Sequence, residues 1–523
     1  MQKIFYDTRM LDQAARDAYG LTEDIMMENA SAALERAGSD HFFSPDNKYI
    51  NRPCVLILAG GGNNGADGYA LARRIVQHKI DVAVCQVYEP KSAMCVLQAD
   101  RAKKAGAIFI NPYDLDEWIE RASFDLRVVY DCVFGSGFHG TLDAMAAAVI
   151  ASVNKIDSAY KIACDIPTGA DCSQDQNAAV FLADTTVTMG ALKLALYSDA
   201  AKDACGKIVV ADLGVSRSNF ESAMQAQEAA APCANLLEPT DARLPLRGKK
   251  QNSNKGTYGH TAIYAGTKPG AAVIAGHAAL KFGSGLASLV PIAEQKINFE
   301  NVADFELMVA DSLPQNATAL VVGPGLGRPD SLGAENVSQA KEAASAVCGL
   351  SNIFSALNAS ALPAVLDADI FYWPQIKDLL AVKKNVVLTP HPKEFVALLK
   401  NLGMGDYTVA QVVARRFELV KDFCRAYPDC VLVLKGANVL IASKLQGELE
   451  PRFYINTLGT SALAKGGSGD VLAGMTAALL AQGYLPLEAA VTASIAHASA
   501  SRAFDSTDYA LTPFSLLNRL PLG

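Results

Sequence analysis

Gly466-Gly467-Ser468-Gly469-Asp470, running directly into the apolar stretch from Val471 to Leu480, decides how this chain is read. Small residues let a backbone turn closely around an anion. The N–H groups that open the following helix then point at it, and the helix dipole favours negative charge at that end. Asp470 would sit beside a bound phosphate, within reach of a substrate hydroxyl. Taken alone, an Asp opening a helix is more often a capping residue. The other strand ends of the chain decide between the two.

In the second half of the chain, strand after strand runs into a polar or glycine cluster. Val321-Val322 leads into Gly323-Pro324-Gly325-Leu326-Gly327, and Val365-Leu366 into Asp367-Ala368-Asp369. Val387-Leu388 leads into Thr389-Pro390-His391-Pro392-Lys393-Glu394, and Val433-Leu434 into Lys435-Gly436-Ala437-Asn438. Each cluster alone reads as a turn, a helix cap or a solvated charge; together, on one rim of a parallel sheet, they describe a site. Lys435 can neutralise phosphate as a point charge. Asp470 is the candidate base for a hydroxyl that attacks phosphorus, and its place at a helix N-terminus should keep it ionised. Phosphoryl transfer needs mainly positioning and charge neutralisation, which such loops supply. The glycine run with its aspartate resembles the anion hole and catalytic aspartate of the ribokinase-like fold.

The first half carries a different glycine turn. After the strand Cys54–Ala59 comes Gly60-Gly61-Gly62-Asn63-Asn64-Gly65-Ala66-Asp67-Gly68, then a helical stretch with Leu71, Ala72, Ile75 and Val76 as its buried stripe. A glycine loop between strand and helix is where an open α/β sheet holds phosphate. A plain tight turn would explain the glycines but not Asn63, Asn64 and Asp67. GxGxxG can be read off at Gly60, Gly62 and Gly65, yet no acidic residue clearly closes the next strand, so this is not the dinucleotide fingerprint. Asp131 precedes a second glycine turn, Cys132-Val133-Phe134-Gly135-Ser136-Gly137-Phe138-His139-Gly140-Thr141. Asp165 precedes Ile166-Pro167-Thr168-Gly169-Ala170-Asp171. Carboxylates at the carboxyl ends of parallel strands converge on one crevice. Asn64, Asp131 and Thr168 offer an amide oxygen, a carboxylate and a hydroxyl, a hard oxygen set that suits a simple cation better than zinc.

Asn63 to Asp67, the Asp131 to Thr141 segment, Asp165-Ile166-Pro167-Thr168-Gly169 and Met26-Met27-Glu28-Asn29-Ala30 resemble the NAD(P)H-hydrate epimerase family over roughly residues 1 to 220. The resemblance implies that Asn63, Asn64, Gly65, Ala66, Asp67, the turn Gly135, Ser136, Gly137, Phe138, His139, Gly140, Thr141, and Asp165 hold the hydrated nicotinamide nucleotide. It further implies a potassium ion on Asn64, Asp131 and Thr168, with Asp165 as the acid/base group. Ala66 stands where the family usually has Gly, and its Cβ threatens to narrow the approach to a phosphate. Lys193 resembles a family lysine and reads equally as a snorkelling surface side chain.

Lys255-Gly256-Thr257-Tyr258-Gly259-His260, Gly323 to Gly327, Leu366-Asp367-Ala368-Asp369, Thr389 to Glu394, Lys435-Gly436 and Gly467 to Asp470 resemble the ADP-dependent NAD(P)H-hydrate dehydratase family over roughly residues 233 to 523. That resemblance implies substrate binding near Ala272, Gly325, His391 and Asp470. The nucleotide phosphates would lie near Lys435, Gly436, Ala437, Asn438, Val439 and Gly469, accompanied by Mg²⁺.

Composition sets the frame for both halves. At 523 residues the chain exceeds one ordinary domain; length alone suggests roughly two to four. Half of the residues (50%) are hydrophobic, enough for full cores without staples. A formal charge of -8 without a long basic run argues against nucleic acid or anionic membrane as the partner. Met1 to Arg9 shows no apolar core of signal-peptide length, and no stretch is long enough and charge-free enough to span a bilayer. The 11 cysteines are scattered, mostly within apolar runs, which reads as reduced thiols in a cytoplasm. The 7 histidines show no metal-ligand spacing.

Strand-like runs alternating with amphipathic helical stretches predict α/β architecture throughout, with mainly parallel sheets covered on both faces. We expect an N-terminal Rossmann-like α/β/α sandwich over residues 1–222 and a C-terminal ribokinase-like α/β domain over 231–523. The polar, alanine-rich segment from Ser216 to Pro232 would link them. First-half strands are expected at Cys54 to Ala59, Val82 to Val87, Arg127 to Tyr130, Lys161 to Cys164, Thr185 to Met189 and Lys207 to Ala211. Those of the second half are expected at Thr261 to Ala265, Ala319 to Val322, Ala364 to Leu366, Asn385 to Leu388 and Val431 to Leu434.

The two resemblances imply one substrate. The expected activity is repair of hydrated NADH and NADPH: epimerisation of the R and S forms by the first half, and dehydration of the S form by the second, with ADP converted to AMP and phosphate. The alternatives are a small-molecule kinase fused to a regulatory ligand-binding domain, or a first half that is a noncatalytic binding module. The partners expected are these small molecules, with neither nucleic acid nor membrane; a homo-oligomer is compatible with the sequence.

Overall fold

The computed structural model describes residues 1–42, 53–122, 125–138, 140–170, 179–223, 231–247, 251–292, 306–329 and 353–520. The chain forms two compact units, one spanning Lys3–Ala234, the other Asn235–Gly523 together with Met1–Gln2. The boundary expected between 222 and 231 falls largely on residues 224–230, outside those described.

The Lys3–Ala234 unit is built on a seven-stranded parallel sheet. Its spatial order is Ile108–Ile110, Asp81–Gln86, Cys54–Ala59, Leu126–Cys132, Tyr160–Cys164, Thr185–Met189, Lys207–Ala211. The central strand shows why this is a sandwich. Val55, Ile57 and Ala59 enter one core cluster; Cys54, Leu56 and Leu58 enter another. A period of two with apolar residues on both faces is the mark of a sheet covered on both sides. From Cys54–Ala59 the chain builds outward in one direction, then returns to lay Leu126–Cys132 on the other side. The carboxyl ends of these neighbours form the topological switch point, where such sheets open a crevice. A short parallel pairing, Ile4 with Leu192 and Phe5 with Lys193, adds a separate ladder.

In the Asn235–Gly523 unit the parallel order is Met308–Val309, Leu286–Pro291, His260–Ala265, Ala319–Val322, Ala364–Leu366, Val386–Leu388, Cys430–Leu434. Val439–Ser443 then runs antiparallel to Cys430–Leu434, and Arg452–Asn456 antiparallel to Val439–Ser443. The switch point lies between His260–Ala265 and Ala319–Val322. Helix Ser468–Ala481 is buried from Val471 to Ala481 and packs against helix Pro269–Lys281. The contact is so close that a Cβ on Gly474 would lie 2.1 Å from the carbonyl oxygen of Ala275. A helix that is apolar all round is a core helix, and here small residues let it sit against its neighbour.

The expected strands all form, with ends shifted by a residue or two. The antiparallel strands 439–443 and 452–456, the edge strands Ile108–Ile110 and Met308–Val309, and Leu286–Pro291 were not expected. The segment after Leu213 is not wholly irregular, since helix Arg217–Ser222 forms there with Ser216 as its cap. All nine described cysteines are free and eight are buried. Among the described residues no helix is long and apolar enough to cross a membrane.

Candidate active sites

At the switch point of the first unit lies a cavity of about 500 Å³. Asn63, Asn64, Asp67, Gly135, Ser136, Gly137, Phe138, Asp165 and Lys193 line it, drawn from several separate strand ends. The asparagine segment is not a loop: Asn63 to Asp67 is the first turn of helix Asn63–Val76, whose N-cap is Gly62. Gly65 is required there, because a Cβ would fall 1.9 Å from the carbonyl oxygen of Gly60. The concern over Ala66 is removed by the same geometry. Its side chain is fully buried in the core cluster, away from the cavity. Gly140 and Thr141 are exposed and do not line the cavity, and His139 lies outside the described residues.

Asp165 sits at the end of Tyr160–Cys164 in a left-handed conformation, φ +70°, uncommon for a residue with a Cβ. Its Oδ2 accepts from the N–H of Ser136 at 2.9 Å and its Oδ1 from the N–H of Met189 at 3.2 Å. Lys193 Nζ lies 2.7 Å from Oδ1. Lys193 is therefore not a snorkelling surface residue; it is 1% exposed. Its ammonium also donates to Thr188 Oγ1 at 3.1 Å and to the carbonyls of Met189 at 2.7 Å and Ala191 at 3.3 Å. Burial would push the Asp165 carboxyl up, but the ammonium and the N–H donors outweigh it and hold the group below its ordinary value. Asp67 goes the other way: burial, with Asp165 and Asp12 as like charges nearby, raises it well above the usual carboxylate range.

Of the expected cation ligands, Asp131 and Thr168 are brought together. Thr168 donates from its hydroxyl to Asp131 Oδ1 and from its N–H to Oδ2, both at 2.7 Å, and the Val133 N–H reaches Oδ1 at 3.2 Å. Asn64 lines the cavity, and its buried Nδ2 has no hydrogen-bond partner among the described residues. Burial raises Asp131 to about 6.

Sequence reading missed Thr8, Arg9 and Asp12, which line the same cavity. The signal was present: Leu11, Asp12 and Ala15 share one face of helix Arg9–Tyr19 by their spacing, just after its N-cap Thr8. Leu11 and Ala15 are fully buried, so a carboxylate lies on the edge of an apolar stripe.

In the second unit, Gly467 adopts φ +91° as the N-cap of helix Ser468–Ala481, and Asp470 falls in the helix's first turn. A Cβ on Gly469 would stand 3.2 Å from Lys435 Nζ and 3.9 Å from Asp367 Oδ2. Lys435 pairs with Asp367 at 2.8 Å and with Glu394 at 3.6 Å. Burial alone would lower the ammonium's affinity for its proton; these carboxylates overcome that and raise it. Asp470 departs from expectation. Burial, then the like charge of Asp367, raises it to about 7, outweighing Lys435. A helix N-terminus therefore does not keep this carboxyl fully ionised. The physical reason is that desolvation acts on the whole charge, while the terminus supplies only part of one.

His391 caps helix Pro392–Leu402 through Nδ1, which accepts from the N–H groups of Lys393 at 3.1 Å and Glu394 at 3.2 Å. Glu394 Oε2 answers by accepting from the His391 N–H at 2.8 Å. Gly325 is fixed by the Lys268 N–H donating to its carbonyl at 3.0 Å, which ties the strand ends of the switch point together. Ala272 is fully buried in the core on helix Pro269–Lys281. Gly436 and Ala437 are exposed in the turn before Val439–Ser443, and Asn438 is buried, its carbonyl accepting from Arg416 at 2.6 Å.

The fold and these sites define a class: a two-unit α/β enzyme, the first unit with a switch-point cavity built around a buried Asp–Lys pair and the second with a lysine beside a glycine-opened helix. A family model described as NAD(P)H-hydrate dehydratase matches residues 262–522, and one described as YjeF-related protein N-terminus matches 23–195. The chain is 40% identical over 520 residues to the bifunctional NAD(P)H-hydrate repair enzyme Nnr of Helicobacter pylori, covering 99% of each chain. It is 30% identical to that of Coxiella burnetii, over 94% of this chain and 93% of the relative. The ADP/ATP-dependent NAD(P)H-hydrate dehydratase of Bacillus subtilis, co-crystallised with ATP/Mg²⁺, is 26% identical with a TM-score of 0.43, over 55% of this chain and 96% of that one. The chain belongs to the family of bifunctional NAD(P)H-hydrate repair enzymes.

Proposed function

We propose that this chain repairs hydrated NADH and NADPH, the first unit epimerising the R and S forms and the second dehydrating the S form at the expense of ADP. In the substrate a hydroxyl sits on C6 of the reduced ring, beside the ring nitrogen, whose lone pair makes that carbon labile. In the first unit Asp165 is the acid/base group, and Asn63, Asn64, Asp67 and the turn from Gly135 to Phe138 receive the nucleotide.

In the second unit Asp470 removes the hydroxyl proton as the oxygen attacks the terminal phosphorus of ADP, and AMP departs. The C6–O bond then breaks with phosphate as leaving group, the C5 proton is lost, and the C5=C6 double bond returns. Lys435 and the N–H groups around Gly469 balance the phosphate charge. Among the described residues no group of three or more His, Cys, Asp or Glu side chains is arranged to hold a metal. Mg²⁺ therefore enters this reading on the nucleotide phosphates, its usual mode of binding.

Potassium fits the first site by donor chemistry. Asp131, Thr168 and Asn64 offer a carboxylate, a hydroxyl and an amide oxygen with one formal charge between them, a hard oxygen set. A bound ion would hold the strand-end loops beside the substrate. The observation that carries the whole reading is the buried Asp165–Lys193 pair lining the first unit's cavity. The dehydratase half rests on Lys435 held by Asp367 across from a side-chain-free Gly469, with Asp470 raised to about 7 beside it. A kinase fused to a regulatory module accounts for that turn but not for the acid/base cavity of the first unit. The test is purified protein on chemically prepared hydrate, with ADP and ATP in parallel. Recovery of NADH absorbance with AMP and phosphate supports the reading; a stable phosphorylated product refutes it.

A further inference from the structure

The cavity of the first unit holds one more carboxyl than its assigned chemistry uses. Asp12, on helix Arg9–Tyr19, lines the same 500 Å³ space as Asp165 and Lys193. The four nearest acceptors of Lys193 Nζ are Asp165, Met189, Thr188 and Ala191, already more than an ammonium has protons to give. Lys193 is thus already saturated without Asp12, whose side chain makes no hydrogen bond or ion pair among the described residues.

Inversion at C6 removes a hydroxyl from one face of the ring and delivers it to the other. That calls for two proton-carrying groups in one site, one charged and one neutral. From this geometry, and resting on the epimerase reading above, we infer that Asp12 is a second catalytic residue, acting as the proton donor that complements Asp165 as base. In the forward sense the C6–O bond breaks with its electron pair going to oxygen, and the Asp12 proton converts the leaving hydroxyl to water. The ring nitrogen lone pair forms the C6=N bond. Water then adds to C6, the C=N electron pair returns to nitrogen, and Asp165 takes the proton from the added water. Exchange with solvent resets the pair, and the reverse direction exchanges the roles.

The electrostatic setting agrees with these roles. The groups acting on Asp12 are Lys193, which lowers its pKa, Asp165, which raises it, Arg16, which lowers it, and Asp7, which raises it; Asp67 and Arg9, the latter paired with Asp7, share the cavity. Burial dominates and lifts Asp12 to about 6, while Asp165 is held low. Two carboxyls whose environments push them apart are the pattern of an acid and a base.

Asp12→Asn and Asp12→Glu in the full chain test this, with epimerisation followed on separated R and S hydrates across pH. We expect the Asn variant to lose roughly a hundred- to ten-thousand-fold in kcat, and the Glu variant to keep most activity. Wild-type kcat/KM should fall as pH rises through about 6, where the donor loses its proton, and the residual activity of the Asn variant should lack that limb. An Asn variant within threefold of wild type, or one that keeps the limb, overturns the inference. Wild-type chain that fails to epimerise at all sinks the epimerase reading instead, so the two failures are distinct.

Discussion

Lys435 Nζ stands 2.8 Å from Asp367 Oδ1, and a Cβ placed on Gly469 would come within 3.2 Å of the same nitrogen. One buried carboxylate therefore anchors the ammonium, while the missing side chain keeps its approach clear for an anion. The pair is asymmetric in exposure: the Asp367 side chain is 1% exposed and that of Lys435 21%.

Removing the lysine should strand a buried charge. Lys435→Met leaves Asp367 and Glu394 without their cation, and breaking a buried pair from one side costs about 3–5 kcal/mol. Urea unfolding of the variant should show a loss of that order, with ADP binding gone. Unchanged stability would mean that the pair is not formed in solution.

Asp470→Asn should abolish dehydration and leave epimerisation intact, a loss of roughly a hundred- to ten-thousand-fold. A base must be ionised, and Asp470 is raised to about 7 by burial and Asp367. Below that pH it carries a proton and cannot accept one. Dehydration kcat/KM should therefore climb as pH rises toward 7 and level above it. A profile already flat from pH 5 would contradict the raised value.

The sequence carried the turns because glycine and proline at strand ends have few other uses. Gly65 against Gly60 and Gly467 at φ +91° were legible for that reason. What it hid depends on burial and on partners distant in the chain. Lys193 read equally as a surface lysine until the pairing of Phe5 with Lys193 set it in the interior beside Asp165. Asp470 was expected to be fully ionised because its helix position is local, whereas Asp367 and the desolvation that oppose it are not. The strand Val439–Ser443 escaped notice because its run follows the Lys435 turn directly and pairs antiparallel, against the pattern of the rest.

Gly469→Ala separates phosphate binding from folding. Ala is the better helix former, so stability should hold or rise by about 0.4–1 kcal/mol. The new methyl, 3.2 Å from Lys435 Nζ, would crowd the anion's approach. The expected result is a higher KM for ADP with an unchanged or higher Tm. An unchanged KM would place the phosphates elsewhere.

Gly65→Ala should act on folding of the first unit. Its Cβ would meet the Gly60 carbonyl oxygen at 1.9 Å, backbone against backbone, so something must shift. Overpacking of this kind costs about 1–3 kcal/mol. Epimerisation should fall along with thermal stability, while dehydration of the S form stays within a few-fold of wild type. Full epimerase activity at undiminished Tm would show that the turn opens without cost.

The cation is the last test. Asp131 accepts from Thr168 twice and from Val133 once, which leaves about one of a carboxylate's roughly four lone-pair sites free. One remaining site, a hydroxyl and an amide cannot repay the dehydration of a small divalent ion, but they suit a large, weakly hydrated monovalent one. Epimerisation should accordingly be faster in potassium than in choline buffer, with magnesium unable to substitute. Asp131→Ala should abolish that dependence and also lower stability, since it leaves the Thr168 and Val133 N–H groups without their acceptor. If Asp131 only braces the turn, stability falls but the wild-type rate is the same in both buffers. Rates in the two salts, measured on wild type first, therefore separate a bound ion from a purely structural carboxylate.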